Sequence, residues 1–130
     1  MGVVGLGCDL LHVPRMEAAL GRWGPRLLRK VLHADELSIF HLRSRPAQPA
    51  VLYLASRWAA KEAAFKAFGR GRGEVLFTEM KVANEPTGRP ILVLEGKTRK
   101  LAGELGITRT HLAISHEHSY ALAHVIFERD

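Results

Sequence analysis

The chain has 130 residues, enough for one domain with a substantial core, and its hydrophobic content of 47% with 25% charged residues excludes a disordered chain. No apolar run reaches the ~20 residues that cross a bilayer. Net charge is +6, and the whole excess lies in the first half: residues 1–70 carry 11 Lys and Arg against 5 Asp and Glu, whereas residues 71–130 carry 8 of each, so that half is expected to meet an anionic partner.

The start, MGVVGLGCDLL, lacks the basic leader of a signal peptide, and Cys8 is the only cysteine. No intrachain disulfide or multi-Cys zinc site can form, and the expectation is a soluble protein of a reducing compartment. Met1 to Asp9 predicts a buried strand ending at Asp9, with Cys8 as a small buried residue. Two uses stay open for that carboxylate: a cap for the next helix, and a ligand.

Pro14 to Trp23 predicts a helix with Val13, Met16, Leu20 and Trp23 as its apolar face, halted at Gly24-Pro25. Arg15 and Arg22 occupy its other side; Arg26, Arg29 and Lys30 follow on a second short helix. Residues 10–30 hold five cations and one acid, a one-signed patch rather than the mixed charge of a solubilising surface. His33 to Leu42 predicts another short helix, with Leu37 and Phe40 inward and Asp35 and Glu36 in the first turn, where the macrodipole favours them. Ser44 to Pro49 predicts a loop.

The longest helix is predicted over Leu54 to Phe68, LASRWAAKEAAFKAF, which has no Gly or Pro and places Leu54, Trp58, Phe65 and Phe68 at helical spacing. Gly69, Gly71 and Gly73 stop it, and Arg70 and Arg72 make the turn basic. Glu62 and Lys66 fall one helical turn apart beside the small residues Ala55 and Ala59. Read alone they are an exposed ion pair worth about 0.3–0.5 kcal/mol. Lys61, however, falls inside the apolar stripe, where a charge must snorkel outward or find a partner.

The second half reads as a small sheet with one helix: a hairpin of Glu79 to Asn84 and Pro90 to Glu95, a helix from Lys97 to Leu105, and a last hairpin of Thr110 to Ser115 and Tyr120 to Glu128. Between the last strands, His116-x-His118 could place two rings on one strand face, but no third metal ligand has matching spacing. Ser115-His116 lacks a nucleophile elbow, and neighbours in a strand point to opposite faces, which disfavours a hydrolase pair.

Four stretches together carry a resemblance: Gly7-Cys8-Asp9-Leu10, the run Arg57-Trp58-Ala59-Ala60-Lys61-Glu62-Ala63-Ala64-Phe65-Lys66-Ala67, Gly88-Arg89-Pro90 and Ile114-Ser115-His116. In residue type, order and spacing the chain resembles the holo-acyl-carrier-protein synthase family of 4′-phosphopantetheinyl transferases, nearly end to end. The resemblance implies a single α+β domain over residues 1–130, a small antiparallel sheet packed against a long central helix, working as a homotrimer with active sites at subunit interfaces. It implies transfer of 4′-phosphopantetheine from coenzyme A to a serine of apo acyl carrier protein, with Mg²⁺, releasing adenosine 3′,5′-bisphosphate. Carried onto this chain, Asp9 and Glu62 become the Mg²⁺ ligands, and Lys66 contacts the pyrophosphate and protonates the leaving group. Arg57, Ser115 and His116 lie near the nucleotide phosphates, and Gly88, Arg89 and Pro90 near the adenosine.

The residues agree with that chemistry, because Mg²⁺ takes one or two carboxylates and completes its octahedron with phosphates and water. The basic first half also gains a use: Arg15, Arg22 and Arg26, with Arg29 beside them, would steer and dock an acidic carrier protein. No membrane and no nucleic acid are expected as partners, and the expected location is a cytoplasm or, after loss of a presequence, a mitochondrial matrix. Two other readings compete. A nucleic-acid-binding module predicts aromatics among exposed cations, where Trp23, Trp58 and Phe65 instead fall on apolar faces. A metal-dependent phosphohydrolase built from Asp9, Glu62 and the histidines predicts phosphate release without a carrier.

Overall fold

The structure, a computed structural model, describes residues 2–43, 50–71 and 73–130. The loop expected over Ser44 to Pro49, Arg72 of the basic turn and Met1 lie outside the described residues. The elements run β1 (Gly2–His12), α1 (Val13–Trp23), α2 (Pro25–Val31), α3 (Ala34–Leu42), α4 (Ala50–Phe68), β2 (Met80–Asn84), β3 (Pro90–Leu94), α5 (Gly96–Glu104), β4 (Arg109–Glu117) and β5 (Tyr120–Arg129). β1, β5 and β4 form an antiparallel sheet in that order, and β2 pairs with β3 in a separate hairpin. The architecture is the expected α+β arrangement. The sheet is not confined to the second half, because the first strand pairs with the last.

α4 lies across the inner face of the three-stranded sheet. Directly paired residues share a face, so the register Gly5–Phe127, Gly7–Val125, Asp9–Ala123 and Leu11–Ala121 defines that face. Ala121, Ala123, Val125 and Phe127 are fully buried on it. The helix comes so close that a Cβ at Gly5 would stand 1.8 Å from the Ala67 carbonyl oxygen, and one at Gly7 1.7 Å from that of Ala63. Only glycine allows this main-chain contact.

The expected bulky stripe therefore describes α4 incompletely. Leu54 and Phe68 are buried, with the Phe68 ring 4.6 Å from that of Phe127, but Trp58 and Phe65 are only half-buried. The side packed tightest is the small one, with Ala59, Ala60, Ala63 and Ala64 all at 0% exposure, and the helix is enclosed on most sides.

Lys61 finds a partner rather than snorkelling. Its ammonium, fully buried, donates to the Glu36 carboxylate and to the Val31 carbonyl oxygen. The same carboxylate accepts the N–H of His33 at 3.0 Å and of Val82 at 2.8 Å. One ion pair thus ties α2, α3, α4 and β2 together, and both oxygens of the carboxylate accept hydrogen bonds. Burial pushes the Lys61 ammonium below its usual range, with the Glu36 charge opposing.

Two expectations for β1 are corrected. The strand runs to His12, three residues past Asp9, and α1 starts from an N-cap at His12 that makes no side-chain capping bond, so Asp9 caps nothing. Cys8 is exposed rather than buried, because it points to the outer face, where it pairs with His124 across the strands. Leu6 at 63% and Leu10 at 62% exposure share that outer face with Ile126, an apolar surface open to solvent in the single chain.

Candidate active site

Asp9 sits on the α4-facing side of β1, with a side chain only 16% exposed. Lys66, in the last turn of α4, donates from Nζ to Asp9 Oδ1 at 3.2 Å and to the Cys8 carbonyl oxygen at 2.9 Å. Glu62 lies one turn earlier on the same helix face, and residues at that spacing have Cβ atoms ~6 Å apart. Lys66 therefore contacts Asp9 directly and stands one helical turn from Glu62. Glu62 also lines a largely apolar cavity of about 320 Å³ with Lys30, Trp58, Phe65 and Phe77.

No group of three or more His, Cys, Asp or Glu able to hold a metal occurs among the described residues. That excludes an all-protein cage but suits Mg²⁺, which keeps several waters and binds through one or two carboxylates plus substrate phosphates. The hard oxygen donors of Asp9 and Glu62 fit that ion. His118 lies in the β4–β5 turn with φ +52°, off the strand that carries His116, so the two histidines do not form the strand-face pair considered above.

A second cavity, of about 330 Å³, brings together Arg57, Gly88, Pro90 and His116. His116 reaches it because the register Leu112–Val125, Ile114–Ala123, His116–Ala121 puts it on the inner face. Ser115, one residue earlier, belongs to the outer face, and neither it nor Arg89 lines this cavity. The turn holding Gly88 is fixed by Asn84 Nδ2 donating to the Gly88 carbonyl oxygen at 2.9 Å and by Glu85 N–H to that of Arg89 at 2.9 Å. Gly88 has φ +92°, a conformation that suits glycine.

Sequence reasoning missed Arg43, Tyr53 and Ser56 in this cavity. Tyr53 is 3% exposed, and the guanidinium carbons of Arg57 and Arg43 lie 4.2 Å and 4.9 Å from its ring centroid. Ser56 Oγ donates to the Tyr53 carbonyl oxygen at 2.7 Å and accepts from Arg57 Nη1 at 2.9 Å, which pins the guanidinium. Burial raises the Tyr53 phenol above its usual range, with the Arg57 charge pulling the other way. Two signals lay in the sequence: Arg57 and Tyr53 are one turn apart, and Ser56 adjoins Arg57.

The two clusters do not face one another within a chain. At ~100° per residue Arg57 and Lys66 project about half a turn apart, and at 1.5 Å per residue their Cα atoms differ by ~13 Å along the helix axis.

Arg15, Arg22 and Arg26 are all exposed, as a docking role requires. Trp23 corrects the sequence reading. It is 48% exposed rather than inward, and the guanidiniums of Arg22 and Arg26 lie 5.1 Å and 5.9 Å from its ring centroid. The cations hold an aromatic surface open beside them instead of letting it fold into the core.

The sequence model of the 4′-phosphopantetheinyl transferase superfamily matches residues 5–124. A holo-[acyl-carrier-protein] synthase of Salmonella arizonae is 43% identical over 129 residues, 98% of this chain and 95% of that protein. Among solved structures, the holo-[acyl-carrier-protein] synthase of Neisseria meningitidis superposes with TM-score 0.89 at 33% identity, covering 98% of this chain and 99% of that one. That of Bacillus anthracis, in complex with CoA (3′,5′-ADP), superposes with TM-score 0.80 at 30% identity over the whole of both chains.

Proposed function

The chain belongs to the 4′-phosphopantetheinyl transferase superfamily and transfers the 4′-phosphopantetheine group of coenzyme A to a serine of apo acyl carrier protein; on that premise we propose that residues 1–130 form one transferase domain with Asp9, Glu62 and Lys66 at its reacting centre. The observation that carries this assignment is the Lys66 bridge to Asp9, one turn from Glu62.

Asp9 and Glu62 would hold a Mg²⁺ ion, which would neutralise the diphosphate of coenzyme A and polarise its phosphorus. The carrier's serine oxygen attacks the phosphorus that bears the pantetheine, and the bond to the oxygen bridging the two phosphates breaks. Adenosine 3′,5′-bisphosphate leaves with that oxygen. Lys66 offsets the charge growing there and supplies a proton, while the serine's proton passes to a site carboxylate or to water.

Arg57 and His116 hold the nucleotide end in the second cavity, with Gly88 and Pro90 against the adenosine, while Arg89 and Ser115 do not line it. Because Arg57 and Lys66 project from opposite sides of α4, one molecule of coenzyme A reaches both clusters across two copies of the chain. The open apolar face of Leu6, Leu10 and Ile126 supports such association, and a homotrimer is the assembly proposed. Arg15, Arg22 and Arg26 dock the acidic carrier protein. No helix among the described residues is long and apolar enough to cross a membrane, and a cytoplasmic location is proposed.

The test is to mix the protein with apo carrier protein, coenzyme A and Mg²⁺ and to follow the carrier by intact mass. A pantetheine adduct that needs all three components is the expected result. Release of phosphate from coenzyme A without any carrier would favour the phosphohydrolase reading instead.

A further inference from the structure

The outer face of the three-stranded sheet, turned away from α4, carries histidines whose surroundings differ. His111 has the Glu128 carboxylate 3.1 Å from its Nε2, and His12 packs on the Tyr120 ring at 5.0 Å in the row that ends at Glu117. His124 has no such company. It stands in one row with Cys8 and Ala113, between a row of Leu6, Ile126 and His111 and a row of Leu10, Leu122 and Ser115, and none of these rows holds a carboxylate. The next charged pair, Arg109 with Glu128, lies beyond the Ile126 row, and Asp9 faces the other way, toward α4. The His124 Nε2 lies 3.8 Å from the Cys8 thiol, a weak partner.

In the separate chain His124 is exposed, so water solvates the ring in either charge state. Leu6, Leu10 and Ile126 around it form the apolar surface that suits a second copy, because Arg57 and Lys66 project from opposite sides of α4 and one coenzyme A reaches both only across two chains. We propose, on the basis of that shared site, that a second copy covers this face with His124 inside the contact as the neutral imidazole, so that acidification separates the copies and halts transfer. Covering a neutral ring beside a thiol and leucines costs little, whereas covering an imidazolium leaves a charge with no carboxylate to answer it. Histidine is the side chain that takes up its proton between about pH 8 and pH 5. The separate chain binds that proton and the assembly resists it. Association is therefore complete above this range and weakens as pH falls through it.

Sedimentation of the wild type at about pH 8 and about pH 5.5, at one protein concentration and ionic strength, tests it. Ordinary carboxylates stay ionised at both values. The wild type should be assembled at the higher pH and separate at the lower, with the concentration for half-dissociation raised about 10-fold or more. His124→Gln, which keeps a polar but neutral side chain, should stay assembled at both and retain more of its transfer activity than the wild type at the lower pH. His111→Gln is the control, expected to follow the wild type, because Glu128 already answers the charge at that position. Circular dichroism should show every sample still folded; loss of the wild-type fold at the lower pH would make separation a consequence of unfolding and overturn the proposal. A wild type that stays assembled at the lower pH overturns it and leaves the shared site standing. If His124→Gln separates as the wild type does, the response lies elsewhere and the proposal fails. A wild type already single at the higher pH removes the shared site, and the proposal with it.

Discussion

The Lys66 ammonium rests 3.2 Å from Asp9 Oδ1, joining the last turn of α4 to the middle of β1 across 57 residues of sequence. The Lys66 side chain is 52% exposed, so water screens the pair and its contribution to stability is small, about 0–1 kcal/mol. Its contribution to the reaction is expected to be much larger. Lys66→Met should fold with a melting temperature close to wild type and lose about 100-fold or more in kcat, measured by adduct formation on the carrier. Asp9→Asn and Glu62→Gln should behave likewise and also need more Mg²⁺, since each removes a ligand charge without removing volume. Normal turnover of either at low Mg²⁺ contradicts the metal assignment.

The carrier surface is expected to act through charge and one aromatic. Arg15→Glu combined with Arg22→Glu should raise KM for the carrier and leave KM for coenzyme A alone, with a wild-type rate that falls as salt rises. Trp23→Ala should raise the carrier KM about 10-fold without lowering the melting temperature, as an exposed interface anchor does and a core residue does not. An unchanged carrier KM at low ionic strength counts against this surface.

The buried ion pair should show itself in stability alone. Lys61→Met leaves the Glu36 carboxylate without its cation inside the core and is expected to cost about 3–5 kcal/mol in urea denaturation. Lys66→Met, with the same chemistry at a half-exposed position, is the comparison. Equal effects of the two substitutions on stability would contradict the burial of Lys61.

Glu79 gives the acid response a specific source. Burial acts to raise its pKa, but the N–H groups of Thr98 and Lys97 and the Thr98 hydroxyl all donate to the carboxylate and hold it below the usual 4.5. Its stabilising effect is therefore complete above pH 4.5 and is lost as pH falls through the depressed folded-state value, because the unfolded chain binds the proton first. Glu79→Gln should flatten the stability-versus-pH slope just below pH 4.5. An unaltered slope means that other carboxylates set the acid limit.

Backbone proximity gives the sharpest contrast. Gly7→Ala would place a Cβ 1.7 Å from the Ala63 carbonyl oxygen and is expected to cost about 3 kcal/mol or more, whereas Gly21→Ala in α1 meets nothing within 4 Å and should be neutral or slightly stabilising. Melting curves of the two variants decide it.

Local patterns made the order of elements legible, and most boundaries moved by a few residues at most. α4 begins at Ala50 rather than Leu54, and β1 ends at His12 rather than Asp9. Periodicity reports which positions share a face and says nothing of what lies opposite. Hence Lys61 could be seen to need a partner, yet Glu36, 25 residues away on another helix, could not be named. Trp23 misled for a related reason, since an aromatic in phase with Met16 and Leu20 reads as core until two neighbouring arginines are seen to stack on it. The resemblance named Arg57, Gly88, Pro90 and His116, which the fold brings to one cavity, but not Arg43, Tyr53 and Ser56 beside them, and it named Arg89 and Ser115, which do not line it. The half-turn between Arg57 and Lys66 follows from helical spacing alone, but bringing Asp9 to one of them and His116 to the other needed the sheet register, which depends on pairing between the two ends of the chain.

The glycines under α4 also decide what kind of precision the enzyme has. With the main chain of β1 resting directly on that of the helix, the spacing of Asp9 from Glu62 and Lys66 is a property of the skeleton, insulated from rotamer changes in the surrounding core. Drift that exchanges core side chains can leave that spacing untouched, while a single added methyl under the helix would prise the two halves of the proposed reacting centre apart.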